Sequence, residues 1–261
     1  MKTLFALTAF AAALSVAGVH AQDFPGKDKV ITIVVPFAAG GPTDRVARDL
    51  AEAMRKPLGG VSIVIDNAAG AGSTIGNAKV ARARNDGYTL LLTHVGMATT
   101  PVLYRKLPYN YETDFEYLGL INDVPMTLIG KPQLEAGNFK DLREWIVKTG
   151  TKVNLGNAGI GSASHLCGLL FQSEMKVEMT TVPYKGTAPA IADLLGGQID
   201  LLCDQTTNTT SQIEGKKVKP YAVTTTAPRP SSFLMKSGSF RATFSASLMD
   251  FRTAAGVPLG A

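Results

Sequence analysis

Two short stretches carry most of the chemistry open to this chain. "VPFAAGGPTDR" (residues 35–45) and "GNAGIGSASHL" (156–166) each run from an apolar segment through a turn of small residues into a helix start. A turn without bulky side chains exposes backbone N–H groups, and the helix behind it adds the positive end of its dipole, so each stretch favours an anion. The second also offers the hydroxyls of Ser162 and Ser164 and the imidazole of His165, groups suited to orienting a polar ligand. No Gly-Lys-Ser/Thr follows either turn and the G-x-G-x-x-G spacing is absent, which argues against nucleotides. A carboxylate fits the same geometry and needs neither lysine nor metal. Either turn alone could be mere connection geometry. Two in matching positions favour a clamp that grips both ends of a small dicarboxylate.

The elements that must position these turns repeat one plan. "VITIVV" (30–35) reads as a buried strand and "PTDRVARDLAEAM" as a helix after Thr43 and Asp44. A strand at 61–65, the loop "NAAGAGS", a helix to about Arg84 and the strand "YTLLLT" complete a strand-helix-strand-helix-strand unit. The second half answers with "KVNLGN", the glycine turn, the helix "HLCGLLFQSEM", the strand "VEMTTVPY", the helix "TAPAIADLLGG" and the strand "QIDLLC". Alternation of this kind predicts parallel sheet, in two similar α/β lobes. Between them, about 101–138, a proline-bearing connector holds the apolar stretch "FEYLGLI" and is expected to include a crossing strand and the hinge.

The first residues give an address. Lys2 precedes an apolar stretch from Leu4 to Val16 that leads to Val19-His20-Ala21, the pattern of a secretory signal peptide cut after Ala21. The stretch is shorter than the roughly 20 residues a spanning helix needs. Residues 1–21 carry Lys2 as their one charge, so the formal net charge falls from +5 to +4 on cleavage. The basic residues are scattered, which argues against nucleic acid. Cys167 and Cys203 are the only cysteines and neither has a Cys or His neighbour at metal-ligand spacing, so no metal is expected. In an exported protein they could form a disulfide or remain two buried thiols.

With those residues in view the chain resembles the Bug family of periplasmic solute-binding proteins, the receptors of tripartite tricarboxylate transport systems. The resemblance rests on "VPFAAGGPTDRVAR", "NAAGAGSTIGNAKVARARNDGYTLLL", "GNAGIGSASHL", "VPYKGTAPAIADLLGGQIDLLCDQ" and "AVTTTAPR" in that order. It implies a two-lobed, type II Venus-flytrap fold, each lobe a parallel-rich sheet flanked by helices. The ligand would be a small carboxylate, a di- or tricarboxylate or an acidic amino acid, held between the lobes without a cofactor. The closed monomer would then dock on a membrane permease. Carried onto this chain, the ligand-binding residues are Phe37, Ala38, Ala39, Gly40, Gly41, Thr43 and Asp44 from the first lobe. The second lobe supplies Gly161, Ser162, Ala163, Ser164 and His165, with Asp204 at the end of the last strand. Asp204 could accept from a ligand ammonium or merely cap a helix.

The resulting division is 1–21 signal peptide, 22–122 first lobe, 123–226 second lobe and 227–261 an atypical tail. That tail, "SSFLMKSGSFRATFSASLMDFRTAAGVPLGA" from 231, holds one acidic residue and no sustained period. It departs from the family pattern as a shifted reading frame would, leaving the C-terminal part of the first lobe missing. Two rival functions use the same residues. A sensory protein would close the same cleft on a signalling partner. An exported serine hydrolase would need a triad, yet Ser162, Ser164 and His165 crowd one helix start and G-x-S-x-G is absent.

Overall fold

The structure, a computed structural model, describes residues 24–26, 28–224 and the backbone of 252–253. The expected signal peptide and nearly all of the expected tail lie outside these residues. No helix among the described residues is long and apolar enough to cross a membrane.

The first lobe is built on β1 (Val30–Val35), whose β-branched residues suit a pleated, buried surface. It lies between β2 (Ser62–Asn67) and β3 (Thr89–Leu91), parallel to both, with Ile33 opposite Ile65 on one side and Leu90 on the other. Helix α1 (Pro42–Arg55) begins with Gly41 as N-cap and Pro42 in its first turn, a position where the missing N–H costs nothing. Its Ala47 and Ala51 lie in one apolar cluster with Ile31, Ile33 and Val35 of β1. Helices α2 (Thr74–Ala81) and α3 (Gly96–Leu103) complete this lobe.

The second lobe carries six strands in the order β6-β5-β7-β4-β8-β9, the last being Arg252–Thr253. Here β5 (Asn154–Asn157) is parallel to β6 (Thr180–Pro183) and β7 (Leu201–Gln205), while β4 (Met126–Gly130) runs antiparallel to β7 and β8 (Lys219–Val223). The sheet is therefore mixed rather than wholly parallel, because the connector re-enters it as β4 from the opposite end. In β7, Leu201, Leu202 and Cys203 are all fully buried, as a central strand covered on both faces requires. Helices α4 (Phe139–Thr149) and α5 (Ala163–Met175) cover one face, and α6 (Thr187–Leu195) covers the other. Asn138 caps α4 by accepting from the Asp141 N–H at 3.0 Å. Cys167 of α5 and Cys203 of β7 are joined as a disulfide.

The strand expected within the connector is β4, while "FEYLGLI" forms neither helix nor strand and leaves Leu118 79 % and Leu120 72 % exposed. Apolar character alone does not make a strand when no sheet edge is there to pair with it. Helix α7 (Thr206–Glu214) directly follows β7, and its polar composition gave no periodic signal. Within the expected tail, Arg252–Thr253 pair antiparallel with Ala222 and Val223 as β9.

Candidate functional site

The parallel strands of the two sheets present their C-terminal ends to one another, with the first residue of β4 beside them, the place where α/β proteins gather their ligand groups. A cavity lies there, walled by Phe37, Thr43 and His94 on one side and by Ala158, Ser164, Thr187 and Asp204 on the other. It measures about 20 Å³, room for about one water molecule. The lobes are closed on it. A larger cavity of about 540 Å³ lies beside it between Gly72 and Tyr104 on one wall and Ile160 and Tyr184 on the other.

Four helices begin at the smaller cavity. Gly41 and Pro42 open α1, Ala163 and Ser164 open α5, Thr187 opens α6, and Gln205 caps α7, all of them in the cavity wall. First-turn N–H groups have no intrahelical acceptor, and the four dipoles add positive potential at one point. No Lys or Arg lines this cavity. Any attraction it offers an anion comes from backbone amides and helix dipoles, set against the Asp204 carboxyl in the same wall.

The glycine turns behave differently from the sequence expectation. Their own amides are largely engaged inside the protein: Ala38 N–H donates to the Lys185 carbonyl at 2.9 Å, and Gly40 N–H to the Asp44 carboxylate at 2.9 Å. In the second turn Gly159 N–H donates to the Asn157 side chain at 2.8 Å and Gly161 N–H to His165 Nδ1 at 3.2 Å. Of the residues singled out from sequence, Phe37, Gly41, Thr43, Ala163, Ser164 and Asp204 line the cavity. Ala38, Ala39, Gly40, Asp44, Gly161, Ser162 and His165 do not, and they build the turns around it.

Asp44 shows how. Its buried carboxylate accepts from Gly40 N–H, from Arg48 Nε and Nη2 at 3.0 Å each, and from Asn67 Nδ2 at 3.0 Å. Burial would raise its pKa, but the bonds from Arg48, Gly40 and Asn67 outweigh it and hold the carboxyl below its usual range. Asn67 also donates to the Phe37 carbonyl at 3.1 Å, so one side chain ties β2 to the turn. In the second turn Ser162 caps α5 by accepting from His165 N–H at 3.1 Å. His165 is held below its ordinary pKa by desolvation.

Asp204 is 1 % exposed. Burial pushes its pKa up to about 6, partly offset by hydrogen bonds from Asn208 Nδ2 and Gln205 N–H. Both donors belong to the β7–α7 junction, so the carboxylate braces the start of α7. The nearby Thr187 hydroxyl favours its charge, yet closes no hydrogen bond of good geometry. Buried Asn157 Nδ2 has no acceptor either. Buried polar groups left this way normally find water or a ligand.

Sequence reasoning passed over His94, Thr187 and Asn157. His94 stacks on Phe37 with ring centroids 4.4 Å apart. Part of its surface reaches solvent, but the packing around the ring disfavours charge and pushes its pKa down to about 4. The available signal was position, since His94 and Asn157 stand at or just beyond the C-terminal ends of β3 and β5.

Comparison with known proteins agrees with this geometry. Residues 46–233 match the family model of the tripartite tricarboxylate transporter family receptor. The chain is 51 % identical over 197 residues to a UPF0065 protein of the TAR-I ttuE-ttuC' intergenic region of Agrobacterium vitis, covering 76 % of this chain and 57 % of that protein. It therefore spans little more than half the length of that relative. Among solved structures, periplasmic binding protein BugD is 55 % identical with a TM-score of 0.73, covering 76 % of this chain and 66 % of that one. MatC from Rhodopseudomonas palustris, with bound malate, is 37 % identical with a TM-score of 0.72, covering 77 % of this chain and 68 % of that one. The chain belongs to the tripartite tricarboxylate transporter receptor family.

Proposed function

We propose that the chain is a periplasmic receptor that binds a small carboxylate between its lobes, 22–122 and 123–226, and delivers it to a tripartite tricarboxylate-type membrane permease. The observation that carries this reading is the meeting of four helix N-termini at one interlobe cavity that no Lys or Arg lines. Such a site attracts an anion through dipoles and amides, and releases it without breaking a buried ion pair. The malate in the related MatC structure supports a dicarboxylate.

The groups a hydrolase would need are engaged in other hydrogen bonds. Ser162 Oγ accepts from a main-chain N–H, Ser164 Oγ donates to the Cys203 carbonyl, and His165 Nδ1 accepts from Gly161.

Thermal unfolding of residues 22–261 against malate, succinate, citrate, aspartate and glutamate tests the reading. A ligand at 100 times its dissociation constant stabilises the folded state by about 2.7 kcal/mol. A selective rise in midpoint with one carboxylate is the expected result. A rise with a sugar or a cationic amino acid, and with no carboxylate, overturns it.

A further inference from the structure

We propose that Gly72 and Gly186 are positioning residues for ligand binding, setting the separation at which the lobes close rather than touching the ligand. The proposal rests on the receptor reading above. Neither residue lines the 20 Å³ cavity. Each instead stands where main chain of one lobe meets main chain of the other.

At Gly72, with φ +60°, an added Cβ would overlap the Ile160 carbonyl oxygen of the second lobe and lie 2.5 Å from the Tyr104 hydroxyl. Gly159 faces it, and a Cβ there would lie 3.2 Å from the Gly72 Cα. At Gly186, with φ +137°, a Cβ would lie 2.9 Å from the Ala38 nitrogen of the first lobe. The two contacts flank hydrogen bonds that cross the cleft: Ala38 N–H to Lys185 O at 2.9 Å, Thr99 Oγ1 to Gly161 O at 2.6 Å, and Tyr104 Oη to Ile160 O at 3.3 Å.

The physical consequence follows from stiffness. The Tyr104 side chain can rotate away from a new methyl, but the Ile160 carbonyl and the Ala38 amide are backbone within packed lobes. A methyl at either glycine is then accommodated by parting the lobes, which draws the helix N-termini away from a common ligand and admits water. In an open protein the Ile160 and Ala38 clashes vanish, which leaves the strain of a left-handed alanine at Gly72 and a larger strain at Gly186, whose φ of +137° and ψ of 169° lie in a region essentially reserved for glycine.

Spin labels at exposed Lys56→Cys and Lys148→Cys, one in each lobe, report the separation in the full chain, and titration with malate and succinate reports affinity. The parent is expected to show a short-distance population that grows with the carboxylate it binds. Gly72→Ala and, independently, Gly186→Ala should replace that population with longer distances. They should weaken binding at least 10-fold, chiefly through faster dissociation. Gly59→Ala is the control for Gly72→Ala, because its φ of +69° brings a similar backbone strain while nothing lies within 4 Å. It should close and bind as the parent does. Short distances retained in both glycine variants overturn the proposal, as does lost binding with closure intact, or a parent that never shows the short separation. If neither carboxylate binds the parent, the receptor reading is in trouble, while the distances alone still decide the role of the two glycines. Should one variant fail to fold, the other, on the opposite contact, decides.

Discussion

The Phe37 ring lies on the His94 imidazole with 4.4 Å between centroids and 22° between planes, joining the turn after β1 to the segment after β3. Across the same cavity stands Asp204. These two titratable groups respond to pH in opposite directions. His94 is folded with a pKa near 4 against an ordinary 6.5, so its contribution is present above pH 6.5 and is lost as pH falls from there towards 4. Asp204 is folded with a pKa near 6 against 3.8, so its contribution is present below 3.8 and is lost as pH rises from there towards 6. Removing either group should expose the other. Between pH 4 and 6, Asp204→Asn should gain stability with rising pH and His94→Phe, which keeps the stack, should lose it. Denaturant melts across that window check both slopes, and equal slopes in the two variants would refute the assignment.

Asp44 should matter to stability before it matters to ligand. Hydrogen bonds to a charged group contribute about 1.5–3 kcal/mol. The exposed Arg48 side of the pair is worth little, which leaves Gly40 and Asn67 as the main losses. Asp44→Ala is expected to lower unfolding stability by about 2 kcal/mol at pH 7. Because the native carboxyl is held below its usual range, the gap should narrow as acid protonates it in the parent. Urea melts at neutral and acid pH measure the difference.

Thr187 offers the converse case. Its hydroxyl is buried at the mouth of α6 and completes no hydrogen bond of good geometry, so Thr187→Val should leave the unfolding midpoint almost unchanged. If the hydroxyl serves a bound carboxylate, the same change should weaken binding about 10-fold, the equivalent of one hydrogen bond. Calorimetric titration separates the two effects, and a variant that binds as well as the parent removes Thr187 from the site.

The Cys167–Cys203 disulfide ties α5 to β7, the elements that carry Ser164 and Asp204. Bridging 36 positions, it should contribute about 3–4 kcal/mol by restricting the unfolded chain. Both sulfurs are buried, so a mild reductant should leave the bridge intact in the folded protein and cleave it only with denaturant. Thiol titration follows the reduction. The double variant Cys167→Ala/Cys203→Ala should unfold at lower denaturant, by an amount in that range.

Much of this molecule was legible as a string. The β-branched run "VITIVV" is β1 to the residue, and the helix reading at "PTDRVARDLAEAM" ends one residue short of α1. Both are local: β-branching and a helical apolar period need no partner to be recognised. The same locality explains what was missed. "FEYLGLI" is apolar, but where it would lie was not written in it, because burial needs a partner surface. Helix α7, "TTNTTSQIE", has almost no apolar face, and it forms where β7 ends with Pro125 O accepting from Thr206 N–H.

The same division runs through the site. By itself the sequence determined that small-residue turns stand before helices in matching halves, and hence that an anion is the ligand to expect, because amide exposure and helix dipoles are properties of a few consecutive residues. Only the tertiary structure decided which of those amides are already engaged within the protein. Ala38 spends its N–H on Lys185 and Gly40 on Asp44, partners that lie 147 and 4 residues away. The starts of α1, α5, α6 and α7 are brought to one cavity by strands far apart in the chain, and even there His165 N–H is held by Ser162 and Thr206 N–H by Pro125. Hydrogen-bond capacity is used up by whatever folds against it, and no local pattern records what that will be.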